Sequence, residues 1–161
     1  MPFSHRFKEG QLTGTAVLSW KPSESTLAYA SFARGYKAGG YNLDRSALTA
    51  TVFTTPTPAT VANLRFDPET VNAYELGAKY TSRHLTANVA IYRSEFTNFQ
   101  LNTFNGTAYI VQNIGGCSVG LNGADRDNSS ATGACTGSVG KGVVTQGVEL
   151  EVGLYPTSNF T

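Results

Sequence analysis

The stretch VTQGVELEVGL, residues 144–154, decides the fold class. One set of alternate residues is apolar except at Gln146, and it comprises Val144, Gln146, Val148, Leu150, Val152 and Leu154. The residues between them are small, polar or acidic, namely Thr145, Gly147, Glu149, Glu151 and Gly153. Because successive side chains of a β-strand point to opposite faces, the stretch predicts a strand with one apolar and one polar face.

Further segments along the chain have the same strand character. Residues 12–20, 74–80 and 85–92 alternate between apolar and polar positions, with Val17 as an exception. Residues 26–34 and the shorter run 109–111 are strand-like in composition, with aromatic or β-branched residues in each. Together they predict an all-β fold, an antiparallel meander of about five strands.

One segment allows two interpretations. Asp67, Pro68 and Glu69 have the order of a helix start, with a capping residue, a proline and an acid in the first turn. Val71, Tyr74 and Ala78 then follow at helical spacing. The two-residue alternation of 74–80 and the glycine within it favour a strand instead.

The connections between the strands alternate in length. Short turns are predicted at 21–25, 81–83 and 156–159, and long polar segments at 35–67 and 113–142. Asn105-Gly106 predicts a tight hairpin. Transmembrane barrels have short periplasmic turns and long external loops, so the alternation of short and long connections favours a transmembrane barrel. The strands of a soluble, secreted β-sandwich also have one apolar and one polar face, but such a fold does not require connections of alternating length.

Composition excludes several classes of protein. Twelve Lys and Arg residues stand against 11 Asp and Glu, giving a formal net charge of +1 and no basic cluster for nucleic acid. No apolar run is long enough for a transmembrane helix. Neither His5 nor His84 has a plausible catalytic partner set, so the sequence predicts no enzyme, no cofactor and no metal site.

The two cysteines, Cys117 and Cys135, lie in one segment rich in Gly, Ser, Asn and Asp. No CxxC pair or nearby histidine suggests zinc. We predict a disulfide that closes a loop outside the cytoplasm, and two free thiols are the alternative.

Four segments, in order along the chain, resemble the barrel of TonB-dependent outer-membrane receptors of the iron-complex type. They are YASFARGYKAGGYN (29–42), FDPETVNAYELG (66–77), AIYRSEFTNFQ (90–100) and QGVELE (146–151). In that family the second segment is a strand. The resemblance covers most of the chain from about residue 11 and implies the late part of a barrel of about 22 strands.

The resemblance implies a bacterial outer-membrane protein for active uptake of ferric siderophores or a similar scarce nutrient. Its partners would be outer-membrane lipid, its own plug domain, the TonB complex and a small-molecule ligand, most often an iron chelate. We find no signal peptide, plug or coupling segment, so residues 1–161 are expected to be a fragment of the barrel domain. A soluble secreted binding module and a passive porin or adhesin barrel are the alternatives.

The barrel interpretation assigns roles to residues. Lipid-facing positions are Leu76, Val89, Ile91, Val148, Leu150, Val152 and Leu154, which would fill the core of a soluble sandwich instead. Lumen-facing charges are Glu75, Lys79, Glu149 and Glu151, which a solvated sheet face would also accommodate. Trp20, Tyr80 and Tyr155 adjoin short turns, as girdle aromatics or as ordinary strand-end aromatics do.

A ligand site is predicted where a strand enters the long segment 35–67. Arg34, Tyr36, Lys37 and Tyr41 combine cationic and aromatic groups, which suit an anionic, aromatic ligand such as a ferric siderophore. Packing within the loop is the alternative for these four residues.

Overall fold

The computed structural model describes residues 8–43, 64–104, 109–117 and 139–157. Within them the strands are β1 Gly14–Ser23, β2 Thr26–Lys37, β3 Gly40–Tyr41, β4 Arg65–Phe66, β5 Glu69–Thr81, β6 Leu85–Thr97, β7 Phe99–Phe104, β8 Tyr109–Ile114, β9 Gly116–Cys117 and β10 Val139–Leu154. No helix in these ranges is long and apolar enough to cross a bilayer.

The five long strands β1, β2, β5, β6 and β10 follow one another in one sheet, and the two-residue β9 pairs with β10. β1 and β2 are antiparallel, with Leu18 opposite Ala30 and Ala16 opposite Phe32. The predicted all-β meander of about five strands is therefore confirmed. The segment with two interpretations is the strand β5, because its alternation outweighs the local helix signals.

By its internal contacts the chain divides into two units. The first comprises Thr13–Gly35, Val71–Glu95 and Val144–Thr161, and is called the sheet unit. The second comprises Met1–Leu12, Tyr36–Thr70 and Phe96–Val143, and is called the connection unit.

In the sheet unit, backbone hydrogen bonds link the short-turn ends of neighbouring strands. Thr81 N donates to Ser25 O at 2.8 Å, and Tyr155 N donates to His84 O at 2.9 Å. Ser82 N donates to Leu85 O at 2.8 Å across the turn between β5 and β6. These bonds fix the strands relative to one another at this end.

The turn predicted at 21–25 is shorter than expected, so that prediction was wrong in extent. β1 continues through Pro22 to Ser23, and Glu24 and Ser25 form the turn. Proline is tolerated at an irregularity of the strand pairing, where its missing N–H breaks no regular ladder bond. The pairing with β2 shifts register between Trp20 and Ser23, which accommodates the ring.

The connection unit contains two small antiparallel pairs. β3 pairs with β4, with Gly40 opposite Phe66. β7 pairs with β8 from Phe99–Ile114 to Phe104–Tyr109, and the tight turn predicted at Asn105-Gly106 lies outside the described residues. Between β6 and β7, Asn98 has a φ of 53°, a left-handed conformation that Asn adopts more readily than most residues.

Little of the described chain is buried. Leu64, at 8% exposed, is the buried hydrophobic side chain among the described residues. Large apolar side chains of the sheet unit remain exposed, among them Leu76, Ile91, Val148, Leu150, Val152 and Leu154. A soluble sandwich would cover such residues with a second sheet.

Candidate functional site

One face of the sheet unit is polar and carries the four predicted lumen charges. Tyr29 Oη donates to Glu75 Oε1 at 2.5 Å, and Lys79 Nζ lies 5.9 Å from the centre of the Tyr29 ring. Glu75, Lys79, Glu149 and Glu151 all line one cavity of about 260 Å³. The structure therefore brings these four charges together on one face, called the polar face.

Glycines make room for aromatic rings on the polar face. A Cβ added at Gly77 would collide with the ring of Tyr29, and one added at Gly147 would lie 2.8 Å from Tyr92 Oη. Both glycines belong to segments quoted above for their resemblance, 66–77 and 146–151. Large and small residues thus fit together across neighbouring strands.

The opposite face of the sheet unit is apolar. Phe32 and Tyr74 contact each other with ring centroids 5.3 Å apart. Leu76, Ile91 and Val148 line a cavity of about 640 Å³. This apolar face carries the predicted lipid-facing residues Leu76, Val89, Ile91, Val148, Leu150, Val152 and Leu154, all of them exposed.

A polar group interrupts the apolar face. Arg93 lies two residues beyond Ile91 on β6, and its Nε donates to Glu95 Oε1 at 2.8 Å. Arg93 Nη1 also donates to Gln146 Oε1. Gln146, the polar exception in the stretch 144–154, is therefore explained by a partner on the neighbouring strand. The sequence hint was the single polar residue in an apolar row.

Amide side chains join the small strands of the connection unit. Asn42 Nδ2 donates to Val111 O and Val111 N donates to Asn42 Oδ1, both at 2.8 Å, so the amide pairs with β8 like a piece of backbone. Asn42 N also donates to Leu64 O at 2.8 Å. The residue that ends the segment 29–42 therefore connects the β3 end to β8.

Two further amides complete this network. Asn113 Nδ2 donates to the carbonyls of Asp67 and Asn98, each at 2.8 Å, while Asp67 N donates to Asn113 Oδ1 at 2.6 Å. Gln100, 8% exposed, donates from Nε2 to Ala38 O at 2.8 Å and to Asp67 O at 3.1 Å. Sequence reasoning missed these roles, because an amide side chain carries no sign in the sequence of the distant backbone group that it contacts.

Two carboxylates accept backbone N–H groups in the same unit. Glu69 Oε2 accepts from Gln100 N at 2.7 Å. Glu9 accepts from Gly39 N through both carboxylate oxygens, at 3.2 and 3.3 Å. A Cβ at Gly39 would lie 2.7 Å from Phe66 O, so only glycine fits this close approach of two chain segments.

The four predicted ligand residues lie at the end of β2 and in β3. Arg34 pairs with Gly14 and lies on the apolar face, two residues beyond Phe32. Tyr36 and Lys37 are exposed at the end of β2, and Tyr41 is half-buried in β3. A ligand contact remains a prediction for all four.

Other predicted residues have simpler settings. Trp20, Tyr80 and Tyr155 are exposed near the short-turn ends, and their girdle role remains a prediction. Cys135 and the side chain of Cys117 lie outside the described residues, so the disulfide also remains a prediction. Across the described ranges, no group of three or more His, Cys, Asp or Glu side chains is placed to hold a metal ion.

The family model described as "TonB dependent receptor-like, beta-barrel" matches residues 3–161. The chain belongs to the TonB-dependent receptor family. No curated protein and no solved structure matches it.

Membership in the TonB-dependent receptor family agrees with the resemblance found in the four segments. The family consists of receptors and transporters of the bacterial outer membrane, which act with TonB and a small-molecule ligand. The structure adds a physical role for the residues of those segments. Gly77 and Gly147 accommodate rings on the polar face, and Gly39, Asn42 and Glu69 hold the connection unit together.

Proposed function

We propose that the chain is part of the barrel wall of an outer-membrane receptor that takes up ferric siderophores or a similar scarce nutrient. The energy comes from TonB, which acts on the receptor through its plug domain. Residues 1–161 supply about five strands of a barrel of about 22. The receptor as a whole performs the transport.

The exposed apolar face is the observation that carries this proposal. Leu150 is 71% exposed and Val148 67%, on a strand whose other face bears Glu149 and Glu151. Covering a Leu or Val side chain stabilises by about 1.5–3 kcal/mol, so a row of them requires an apolar neighbour. Lipid supplies it in a barrel, and water fills the lumen on the side of the charges.

The lengths of the connections support an orientation. The β1–β2 and β5–β6 turns are short and lie at one end of the sheet unit, which corresponds to the periplasmic side. The segments 35–67 and 113–142 are then external loops. Trp20, Tyr80 and Tyr155 would lie at the periplasmic interface, where a ring is partly wet and partly in lipid.

Ligand capture is assigned to the external side. Arg34, Tyr36, Lys37 and Tyr41 combine cationic and aromatic groups where β2 enters the segment 35–67. An iron chelate with aromatic rings and negative charge would stack on the tyrosines and accept hydrogen bonds from the ammonium group.

Uptake by cells that carry the receptor containing this chain tests the proposal. Labelled ferric siderophore is expected to accumulate saturably and to stop when the proton-motive force is collapsed. Lys37→Ala is expected to raise the half-saturating concentration about tenfold, the loss of one charge-assisted hydrogen bond. Lys21→Ala, at the short-turn end, is the matched control and should leave uptake unchanged.

The alternatives give different results in the same assay. Non-saturable accumulation that survives collapse of the proton-motive force indicates a passive barrel and contradicts the proposal. A purified chain that melts cooperatively in buffer without detergent indicates a soluble binding module. Saturable uptake of another nutrient, such as cobalamin or a carbohydrate, keeps active transport and rejects the siderophore.

A further inference from the structure

One peptide group of the connection unit is held at both of its polar atoms. This group joins Ala38 to Gly39. Its oxygen accepts a hydrogen bond from Gln100 Nε2 at 2.8 Å, and its N–H donates to both carboxylate oxygens of Glu9, at 3.2 and 3.3 Å. A planar peptide group that is fixed at its oxygen and at its N–H cannot turn about the neighbouring backbone bonds, so the direction of the chain is set at this point.

The same glutamine also holds the chain segment on the other side of the β3–β4 pair. Gln100 Nε2 donates to Asp67 O at 3.1 Å. Asn113, which lies directly opposite Gln100 in the β7–β8 pair, donates from Nδ2 to the same oxygen at 2.8 Å and accepts from Asp67 N at 2.6 Å. Ala38 precedes β3 and Asp67 follows β4, so one amide joins the two segments that flank this pair.

The bonds from Gln100 to Ala38 O and Asp67 O are called the amide clamp, and burial makes them specific. Gln100 is 8% exposed, and both hydrogens of its NH2 group have a carbonyl acceptor. Its backbone N donates to Glu69 Oε2 at 2.7 Å, which fixes the point from which the side chain extends. Breaking the clamp would leave buried polar groups without partners, so one geometry is preferred.

Two of the predicted ligand residues flank the clamped peptide group. Lys37 directly precedes Ala38, and Tyr41 follows Gly39 by two residues. Tyr41 is in turn paired with Arg65 in the β3–β4 pair. Because the peptide group between Lys37 and Tyr41 is fixed, the ammonium group and the phenol ring extend from fixed backbone positions.

We propose that Gln100 is a positioning residue for nutrient capture, which holds Lys37 and Tyr41 in the arrangement that an anionic, aromatic chelate requires before the chelate arrives. The proposal rests on the proposed function, because it needs a ligand at Lys37. A preformed site loses less conformational freedom on binding. When a smaller fraction of receptors has the competent arrangement, the apparent dissociation constant rises by the inverse of that fraction.

Uptake of a radiolabelled ferric tris-catecholate by cells that carry the complete receptor tests the role of Gln100. Gln100→Met keeps the length of the side chain and removes both donors. The half-saturating concentration should rise about fivefold, the effect of a net loss of one hydrogen bond, while the maximal rate stays unchanged. Gln100→Asn keeps the amide but shortens its reach, and should give a smaller rise. Gln112→Met, at an exposed position of β8, is the matched control and should have no effect.

A double-variant cycle separates positioning from a general loss of stability. In the Lys37→Ala background, Gln100→Met should raise the half-saturating concentration by about twofold or less, because the main group that it positions is already missing. A purely structural defect would lower the maximal rate through loss of folded receptor, to the same extent in both backgrounds. Heat-modifiable migration on a gel measures how much of each variant is folded.

Hydrogen exchange of the purified receptor measures the amide clamp without ligand. The amides of Gly40 and Tyr41 should exchange faster in Gln100→Met than in Gln112→Met. Saturating ferric tris-catecholate should slow them again, because the ligand selects the arrangement that the clamp normally holds. Unchanged exchange at both amides would contradict the clamp.

Three uptake results would overturn the positioning role: an unchanged half-saturating concentration in Gln100→Met, an equal rise in Gln112→Met, or the same factor with and without Lys37. If Gln100→Met does not fold, the same cycle with Gln100→Asn decides. These results leave the proposed function intact, since the unsubstituted receptor still takes up the chelate saturably. Lack of saturable, energy-dependent uptake by the unsubstituted receptor would instead reject the proposed function, and the positioning role with it.

Discussion

The sheet unit and the connection unit are held together by different groups. In the sheet unit, paired backbones carry most of the structure, and side chains match the polarity of their face, with glycines where the rings of Tyr29 and Tyr92 lie. In the connection unit, Asn42, Gln100 and Asn113 make the links through side-chain amides. The first kind of structure tolerates exchanges within a class of residue, and the second requires a particular residue at each link.

The largest expected effect tests the two faces of the sheet unit. Leu150→Arg should reduce the free energy of unfolding in lipid by about 2–4 kcal/mol, because the side chain lies in the middle of the apolar row. Chemical denaturation of the complete barrel in vesicles measures it. Glu149→Arg, one residue away on the polar face, is the control. Equal losses in both variants would contradict the assignment of faces.

The next largest effect is expected in the connection unit, where the chain at Gly39 closely approaches the backbone of Phe66 and Pro68. Gly39→Ala places a Cβ 2.7 Å from Phe66 O and 3.0 Å from Pro68 N, and backbone atoms cannot move aside freely. Overpacking of this kind costs about 1–3 kcal/mol. Gly14→Ala, where a Cβ meets nothing within 4 Å, should be neutral in the same denaturation assay. A neutral Gly39→Ala would refute the close packing.

An amide exchange tests the link between β3 and β8. Asn42→Ala removes both bonds to Val111 and is expected to cost about 1–2 kcal/mol locally. Hydrogen exchange should accelerate at the Val111 amide and remain unchanged in β5. Asn42→Asp keeps the acceptor and should protect that amide better than Ala. Uniform acceleration throughout the barrel would show that the two units do not respond separately.

The smallest effect concerns the glycine under a ring. Gly77→Ala collides with the far end of the Tyr29 side chain, which can tilt away. The expected loss is below about 1 kcal/mol, the usual range for a substitution that its surroundings can accommodate. Tyr29→Ala combined with Gly77→Ala should recover the loss attributable to the collision. An additive double variant would indicate that the ring and the glycine do not interact.

Alternation was the part of the fold that sequence could predict. It located the long strands, because polar and apolar side chains alternate between adjacent residues such as Glu149 and Leu150. It also marked Gln146 as an exception without giving the reason. The partner of Gln146, Arg93, lies on another strand, and the register between strands is set by turns and ladders rather than by either residue alone.

The connection unit was less accessible to sequence reasoning. The segment 35–67 was predicted as a long polar connection, and β3 and β4 within it are only two residues each. Their stability depends on Asn42 and Asn113, whose partners are far away along the chain. The extent of the first turn was misjudged because Pro22 suggests a turn locally, whereas the irregular pairing between Trp20 and Ser23 accommodates a proline within the strand.

Two backbone hydrogen bonds lie at the short-turn ends, from Thr81 to Ser25 and from Tyr155 to His84. They affect which parts of the barrel wall can change in sequence and length. They set the stagger of the strands at one end, so changes at the other end need not alter it. Lengthening a connection there costs only about 0.6 kcal/mol of closure entropy for each doubling. A receptor lineage can therefore vary the connections at that other end extensively while inheriting the same arrangement of strands.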